Sequence, residues 1–499
     1  MPPSQARCAN AVAGEQPLEF PSQMGLTEYR ILILIPPILA AHSNRGLIVS
    51  TVDSPLIPLQ AGQLPLVRSL RSNAQWMLLG NVTYGVCQWL MLIVIARVGL
   101  PEMVGQFALA MAITTPLIML IGLDLRTVQA TDQSNRYSFG DFFTLRMGTL
   151  TIAMAVIMGV TVWRGYTREL ALLIFVMGLS KCVEAVSDLC YGTLQQHEHF
   201  DQMAKSRILR GVLSLAVLAG GLLLSHSLVL ATALLTVMWT GVLVCYDWPV
   251  ASRLLHLHGH STSLWNFRSK QLPLMLMAAI PTGILSCQGS LEHSLPRLCV
   301  DGYLGVRELG IYSAVSSLLL AAATVISAVH GAVLPKIARY LVNHERRSAW
   351  QVLIRLSLFG AVVGGLGTVT VYVCGGWILG STFGPEYASQ SSLLVILMLG
   401  ATIRYATLPL STGFLAAKRF WLLAILQTVS LVATAPVLMF LVQKYRGMGA
   451  AYASVFLALM YAVVQITAAL YVLRPRADTP RSDEVDEEPR FAQEIRGAA

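Results

Sequence analysis

The stretch ALLIFVMGLSKCVEAVSDLCYGTLQQ, Ala171 to Gln196, opens as an apolar run and then carries Lys181, Glu184 and Asp188. At about 100° per residue these three side chains fall within about 60° of one another, and Ser180, Ser187, Tyr191 and Gln195 widen the stripe to about 120°. The stretch therefore reads as a greasy helix with one polar face. An ionisable group at membrane depth faces a bundle interior or a water-filled cavity, so the stripe is expected to line a cavity. Against this stands the plainer reading of a Lys181–Glu184 pair beside a solvated helix end.

The surrounding chain fixes the class. Of 499 residues, 55% are hydrophobic and 12% are charged, with a mean hydropathy of +0.63. Soluble proteins carry about twice that charge. At roughly 20 apolar residues per crossing, the expectation is about twelve membrane helices. They fall near residues 74–96, 104–123, 142–163, 169–191, 209–226 and 228–247, then 272–295, 309–334, 351–373, 388–412, 420–443 and 449–473. The expected fold is thus an all-α integral membrane protein.

The domain reading follows these spans. Residues 1–65 are expected to be a disordered extension, with translation starting near Val67 as one explanation. An N-lobe over 66–247, a cytoplasmic linker over 248–271, a C-lobe over 272–473 and a disordered charged tail over 474–499 complete the chain. Placing the N-terminus inside puts eighteen Lys and Arg residues on the cytoplasmic side, Arg207 and Arg210 among them. Seven remain on the other side: Arg97, Arg164, Arg168, Arg297, Arg307, Lys444 and Arg446. Both termini are therefore expected in the cytoplasm. That bias also accounts for the net charge of +9, and no basic patch interleaved with aromatics suggests nucleic acid.

The two lobes share a repeat. Gly99-Leu-Pro-Glu102-Met-Val-Gly105-Gln-Phe107 follows the first span, and Gly305-Val-Arg-Glu308-Leu-Gly310-Ile-Tyr312 follows the seventh. Repeats in corresponding halves are a mark of transporters, whose substrate site lies between them.

Four segments then carry a family resemblance: IARVGLPEMVGQFALAMAI (Ile95 to Ile113), ELGIYSAVSSLL (Glu308 to Leu319) with Leu334-Pro335, FGPEYASQSSLLVILML (Phe383 to Leu399), and RGMGAAYAS (Arg446 to Ser454). In order and spacing, over about residues 68–473, they resemble the polysaccharide flippases. These are the O-antigen and capsule exporters of the multidrug/oligosaccharidyl-lipid/polysaccharide superfamily. The resemblance implies two pseudo-symmetric six-helix lobes around a central cavity. It also implies movement of an undecaprenyl-diphosphate-linked oligosaccharide across a bacterial inner membrane for O-antigen, capsule or exopolysaccharide synthesis. A polysaccharide polymerase is an implied partner. One departure is that the arginine of the seventh span, Arg297, follows Pro296 where the family often has an acid, which leaves Glu292 one turn earlier as the candidate replacement.

Such a cargo offers a diphosphate, hydroxyls and a long apolar tail. The candidate phosphate-binding cations are Arg404, Arg297, Arg97, Arg126 and Lys181, since arginine's planar fork suits phosphate oxygens. Arg404 sits deepest in an apolar run, whereas Arg97, Arg126 and Arg297 lie near span ends, where an arginine can reach the interface. Glu184, Asp188, Tyr191 and Glu292 are candidates for glycan contact or for carrying a coupling proton or sodium ion. Pro281, Gly283 and Pro296 mark the seventh span as an expected hinge.

Other classes are weaker. A drug or metabolite cation antiporter of the same superfamily is the nearest alternative. A membrane glycosyltransferase, polymerase or ligase would need a long extracytoplasmic loop with acids and bases, and the loops here are short. The eight cysteines form no CxxC pair, and the histidines of HLHGH (His256, His258, His260) and of His197-Glu-His199 lack ligand-spaced partners. They read as solvated loop residues, with no metal or cofactor expected.

Overall fold

A computed structural model describes residues 70–472 apart from 133, 260–263 and 268. The expected extension over 1–65 and tail over 474–499 lie outside the described residues, as do His260, Arg68 and Arg268. Every regular element among the described residues is helical. The first half holds α1 (Leu70–Val98), α2 (Pro101–Gly122), the short α3 (Leu125–Thr131), α4 (Phe139–Trp163), α5 (Arg168–Gln196), α6 (Phe200–Ser225), α7 (Leu228–Val242) and α8 (Trp248–Leu257). The second holds α9 (Leu272–Leu304), α10 (Val306–Val342), α11 (Arg346–Thr382), the one-turn α12 (Pro385–Ala388), α13 (Ser391–Ala416), α14 (Phe420–Tyr445) and α15 (Gly447–Val472).

Eleven helical stretches among the described residues are long and apolar enough to cross a membrane. The span expected at 309–334 lies within the 37-residue α10. Several helices run past the apolar cores from which they were read. The clearest case is α6, which begins at Phe200, nine residues before the expected span, so that Arg207 stands inside the helix with Arg210. Arg210 is 2% exposed. A helix continues through polar residues whenever neighbouring helices supply their partners, and hydropathy does not see those partners.

Local chemistry explains the ends. Ser138 and Asp141 form a reciprocal cap at the start of α4, each side chain accepting from the other's backbone N–H. Proline occupies the first turn of α2, α8, α9 and α12, where no intrahelical donor is lost. A five-residue π turn, Leu243–Asp247, joins α7 to α8. Between α2 and α3 the chain breaks sharply, with Leu123 (φ 63°) and Asp124 (φ 44°) both left-handed. Helix α9 stays continuous through Pro281 and Pro296.

Within each half the helices pack on one another, α1 on α6 and α5 on α2, α3, α4, α6, α7 and α8 in the first, α11 on α13 and α13 on α15 in the second. The halves meet chiefly where α2 packs on α9 and α10. There the repeat acquires a structural meaning. A Cβ on Gly105 would stand 1.9 Å from the Val306 carbonyl oxygen, and one on Gly310 would stand 1.8 Å from the Pro101 carbonyl oxygen. Each glycine thus receives the backbone four residues ahead of the other, a pseudo-twofold crossing that only glycine permits.

Candidate functional site

The stripe on α5 is held by five surrounding segments. Lys181 Nζ lies 2.8 Å from Glu184 Oε2, and the Tyr84 hydroxyl on α1 donates to Glu184 Oε1 at 2.8 Å. One turn on, Asp188 Oδ1 is 3.6 Å from an Arg126 nitrogen of α3, and the same guanidinium donates to Gln195 Oε1 at 3.2 and 3.3 Å. These groups remain partly open: the side chains of Arg126 and Asp188 are 21% and 35% exposed, those of Lys181 and Glu184 14% and 24%.

Behind the open rim sits a sealed layer that the sequence reading missed. Arg210 donates to Asp247 Oδ2 at 3.0 Å and to the Ser187 hydroxyl, while the Ser206 hydroxyl donates to Asp247 Oδ1. The side chains of Arg210 and Asp247 are 2% and 0% exposed. The π turn brings Asp247 into this layer by rotating the end of α7 relative to a regular helix. Tyr191 is the hub: its hydroxyl bonds Ser206 Oγ at 2.7 Å, and the guanidinium carbons of Arg126, Arg207 and Arg210 lie 5.8, 5.5 and 5.9 Å from its ring centre. Trp239 adds a second aromatic face, 5.4 Å from Arg210 and 5.8 Å from Lys181. Arg207 also donates to Asn81 Oδ1 on α1.

A signal for part of this layer existed. Ser206, Arg210 and Ser214 recur every fourth residue on one face of an apolar helix, the pattern that singled out α5. Tyr84, Trp239 and Asp247 carried none, because each owes its position to a neighbouring helix.

The second half holds a smaller arrangement. Arg404 on α13 meets Glu292 on α9 through two parallel bonds, Nε to Oε1 at 3.0 Å and an Nη to Oε2 at 3.1 Å, with the Tyr461 ring 4.5 Å from its guanidinium carbon. Its other terminal nitrogen is buried without a hydrogen bond. Glu292, Leu295, Pro296, Leu431, Thr434 and Leu457 line a cleft beside the pair. Arg297, half-buried on α9, makes no ion pair or hydrogen bond to another described residue. Arg97 lies apart from both clusters. It donates to the carbonyls of Gly380, Ser381 and Thr382, capping the end of α11. Gly283 of α9 sits against the α2–α3 break, where a Cβ on it would stand 2.9 Å from Leu123 Cα, and Pro281 lies two residues earlier in the same helix.

The structure thus brings together Arg126, Lys181, Glu184, Asp188 and Tyr191, pairs Arg404 with Glu292, and leaves Arg97 outside. Lys181 alone against two carboxylates made a poor anion site. Arg126 and Arg207 join Lys181 beside Glu184 and Asp188, while the charge of Arg210 is taken up by Asp247.

Residues 70–341, more than half of the chain, match the polysaccharide biosynthesis protein family. The capsular polysaccharide biosynthesis protein CapF of Staphylococcus aureus is 26% identical over 385 residues, covering 76% of this chain and 94% of CapF. In fold, the chain is similar to the lipid II flippase MurJ in an inward-closed conformation, with a TM-score of 0.63 and 13% identity over 77% of this chain and 85% of MurJ. It is also similar to an inward-facing multidrug resistance MATE transporter of the MOP superfamily, with a TM-score of 0.55 and 12% identity over 82% of this chain and 95% of that one. The chain belongs to the polysaccharide biosynthesis protein family and is a multi-pass membrane protein whose fold is similar to those of MurJ and the MATE transporter.

Proposed function

We propose that the protein carries an undecaprenyl-diphosphate-linked oligosaccharide from the cytoplasmic to the outer leaflet of a bacterial inner membrane by alternating access, with both termini in the cytoplasm. The observation that carries this reading is the half-open pairing on α5. Arg126 and Lys181 are each held by a carboxylate that they can exchange for phosphate oxygens, and the exchange leaves Asp188 and Glu184 able to accept sugar hydroxyls or a coupling proton. Arg404 and Arg297 supply further cations from the second half. The relative CapF favours capsule over O-antigen as the destination.

Deletion and complementation with analysis of lipid-linked intermediates tests the reading. The deletion is expected to accumulate undecaprenyl-linked repeat units on the cytoplasmic leaflet; a normal pool with altered polymer length overturns it. A second reading, export of an organic cation, rests on the same carboxylates, Glu184 and Asp188, and on the likeness in fold to a MATE transporter. Drug sensitivity of the deletion strain with intact polysaccharide would favour it. Ion coupling predicts that ionophores which collapse the proton or sodium gradient stop export. A C-terminal reporter that is active only in the periplasm is expected to stay silent. Co-purification with a polysaccharide polymerase tests that partner.

A further inference from the structure

We propose that the α2–α3 break is a latch between the halves, and that α3 couples the latch to the occupancy of the charged stripe; the second clause rests on the function proposed above. The break is built from two adjacent non-glycine residues in the left-handed region, Leu123 (φ 63°, ψ 15°) and Asp124 (φ 44°, ψ 47°). Side chains rarely adopt that conformation, and two in succession persist only where surrounding contacts impose it.

The contacts come from α9, in the other half. Thr282 Oγ1 donates to the Leu123 carbonyl at 3.2 Å, and Ser286 Oγ donates to Asp124 Oδ2 at 3.2 Å. Between them Gly283 forms a notch for Leu123, leaving no room for a methyl group. From its own half, Arg146 donates to the Gly122 carbonyl at 2.7 Å, and Thr127 Oγ1 donates to the same Asp124 oxygen at 2.9 Å. Removal of α9 takes away the notch and two of these bonds while the strain of the break remains. The seated arrangement is therefore one of two states, held in place by the opposite half.

What joins this latch to the stripe is α3 itself, only seven residues long. Its first turn follows Asp124; its second residue, Arg126, pairs with Asp188 and Gln195; its fifth, Gln129, is buried and hydrogen-bonded to Thr193 at 2.9 Å. An anion that draws Arg126 away from Asp188 pulls on a helix whose N-terminal flank is the latch. On the proposed orientation the latch closes the cytoplasmic end, while the Gly105–Gly310 crossing joins the halves at the other.

Hydrogen–deuterium exchange of the full-length protein in nanodiscs, read on peptides covering 120–131 and 279–288, tests both clauses. Gly283→Ala is expected to raise exchange in both segments by about fivefold or more, the equivalent of about one lost hydrogen bond. Thr282→Ala combined with Ser286→Ala, which adds no bulk, is expected to do the same should the alanine at 283 fail to fold. Wild-type exchange in both designs overturns the latch, whatever the cargo is. For the coupling, undecaprenyl diphosphate is the probe. It is expected to change exchange over 120–131 in the wild type and not in Arg126→Gln. An equal response in Arg126→Gln, or none in a wild type that retains the radiolabelled probe, overturns the coupling and leaves the flippase reading to its own genetic test.

Discussion

Two ion pairs that meet adjacent residues of α5, Ser187 and Asp188, behave as opposites. Arg210 and Asp247 are sealed, at 2% and 0% exposure, with the Ser206 hydroxyl donating to the carboxylate and the Ser187 hydroxyl accepting from the guanidinium. Arg126 and Asp188 are open at 21% and 35%, and their contact is longer, at 3.6 Å. A sealed pair has no exchange partner within reach, so its charges can only organise the helices that carry them. An open pair can trade partners with a solute. On the proposed function, the back of the network serves architecture and its rim serves transport.

The largest effect should come from breaking the sealed pair on one side. Arg210→Met leaves Asp247 buried without its cation, and the expected loss is about 3–5 kcal/mol of stability. The measurement is thermal unfolding of detergent-solubilised protein together with its level in membranes. Adding Asp247→Leu should restore most of the loss; a single variant with wild-type unfolding would move this pair to the rim.

Next comes the rim. Glu184→Gln with Asp188→Asn should cut export of lipid-linked units by about tenfold or more, equivalent to about 1.4 kcal/mol, with unfolding shifted by less than about 1 kcal/mol. Full export in the double variant would return α5 to a structural role.

Arg404→Lys keeps the charge and removes the fork that meets Glu292 through two bonds. An expected cost of about 1 kcal/mol, with export reduced more than stability, would group this pair with the rim. Equal losses would group it with the sealed layer. The smallest effect is expected from Arg97→Ala, which removes the cap on α11 for about 0.3–1 kcal/mol and should leave export near wild type. A strong export defect with normal unfolding would restore Arg97 to the cavity.

How far the sequence could be read depended on whether a signal was local. The face of α5 was legible because Lys181, Glu184 and Asp188 are charges in an apolar run at helical spacing, and both cost and periodicity are properties of the chain alone. Arg210 obeyed the same rule but sat at the edge of its span, where hydropathy could not separate a helix from a loop. Asp247 was not legible, since its place in the network depends on a π turn. Arg97 and Arg404 looked alike as cations near apolar runs, yet one caps a helix of the other half and the other is forked onto a carboxylate 112 positions away.

By itself, then, the sequence determined the membrane class, the helical fold, the order of the spans, the repeat and the polar face of α5. Burial of apolar length and helical periodicity are local and additive, and they need no partner to be read. Only the tertiary structure decided which charges are sealed and which are open, and that the repeated glycines cross one another. It alone seated the strained Leu123–Asp124 break on α9. Each of these is settled by a group far away in the chain, because the energy of a charge, a close backbone approach or a left-handed residue is set by whatever packs against it.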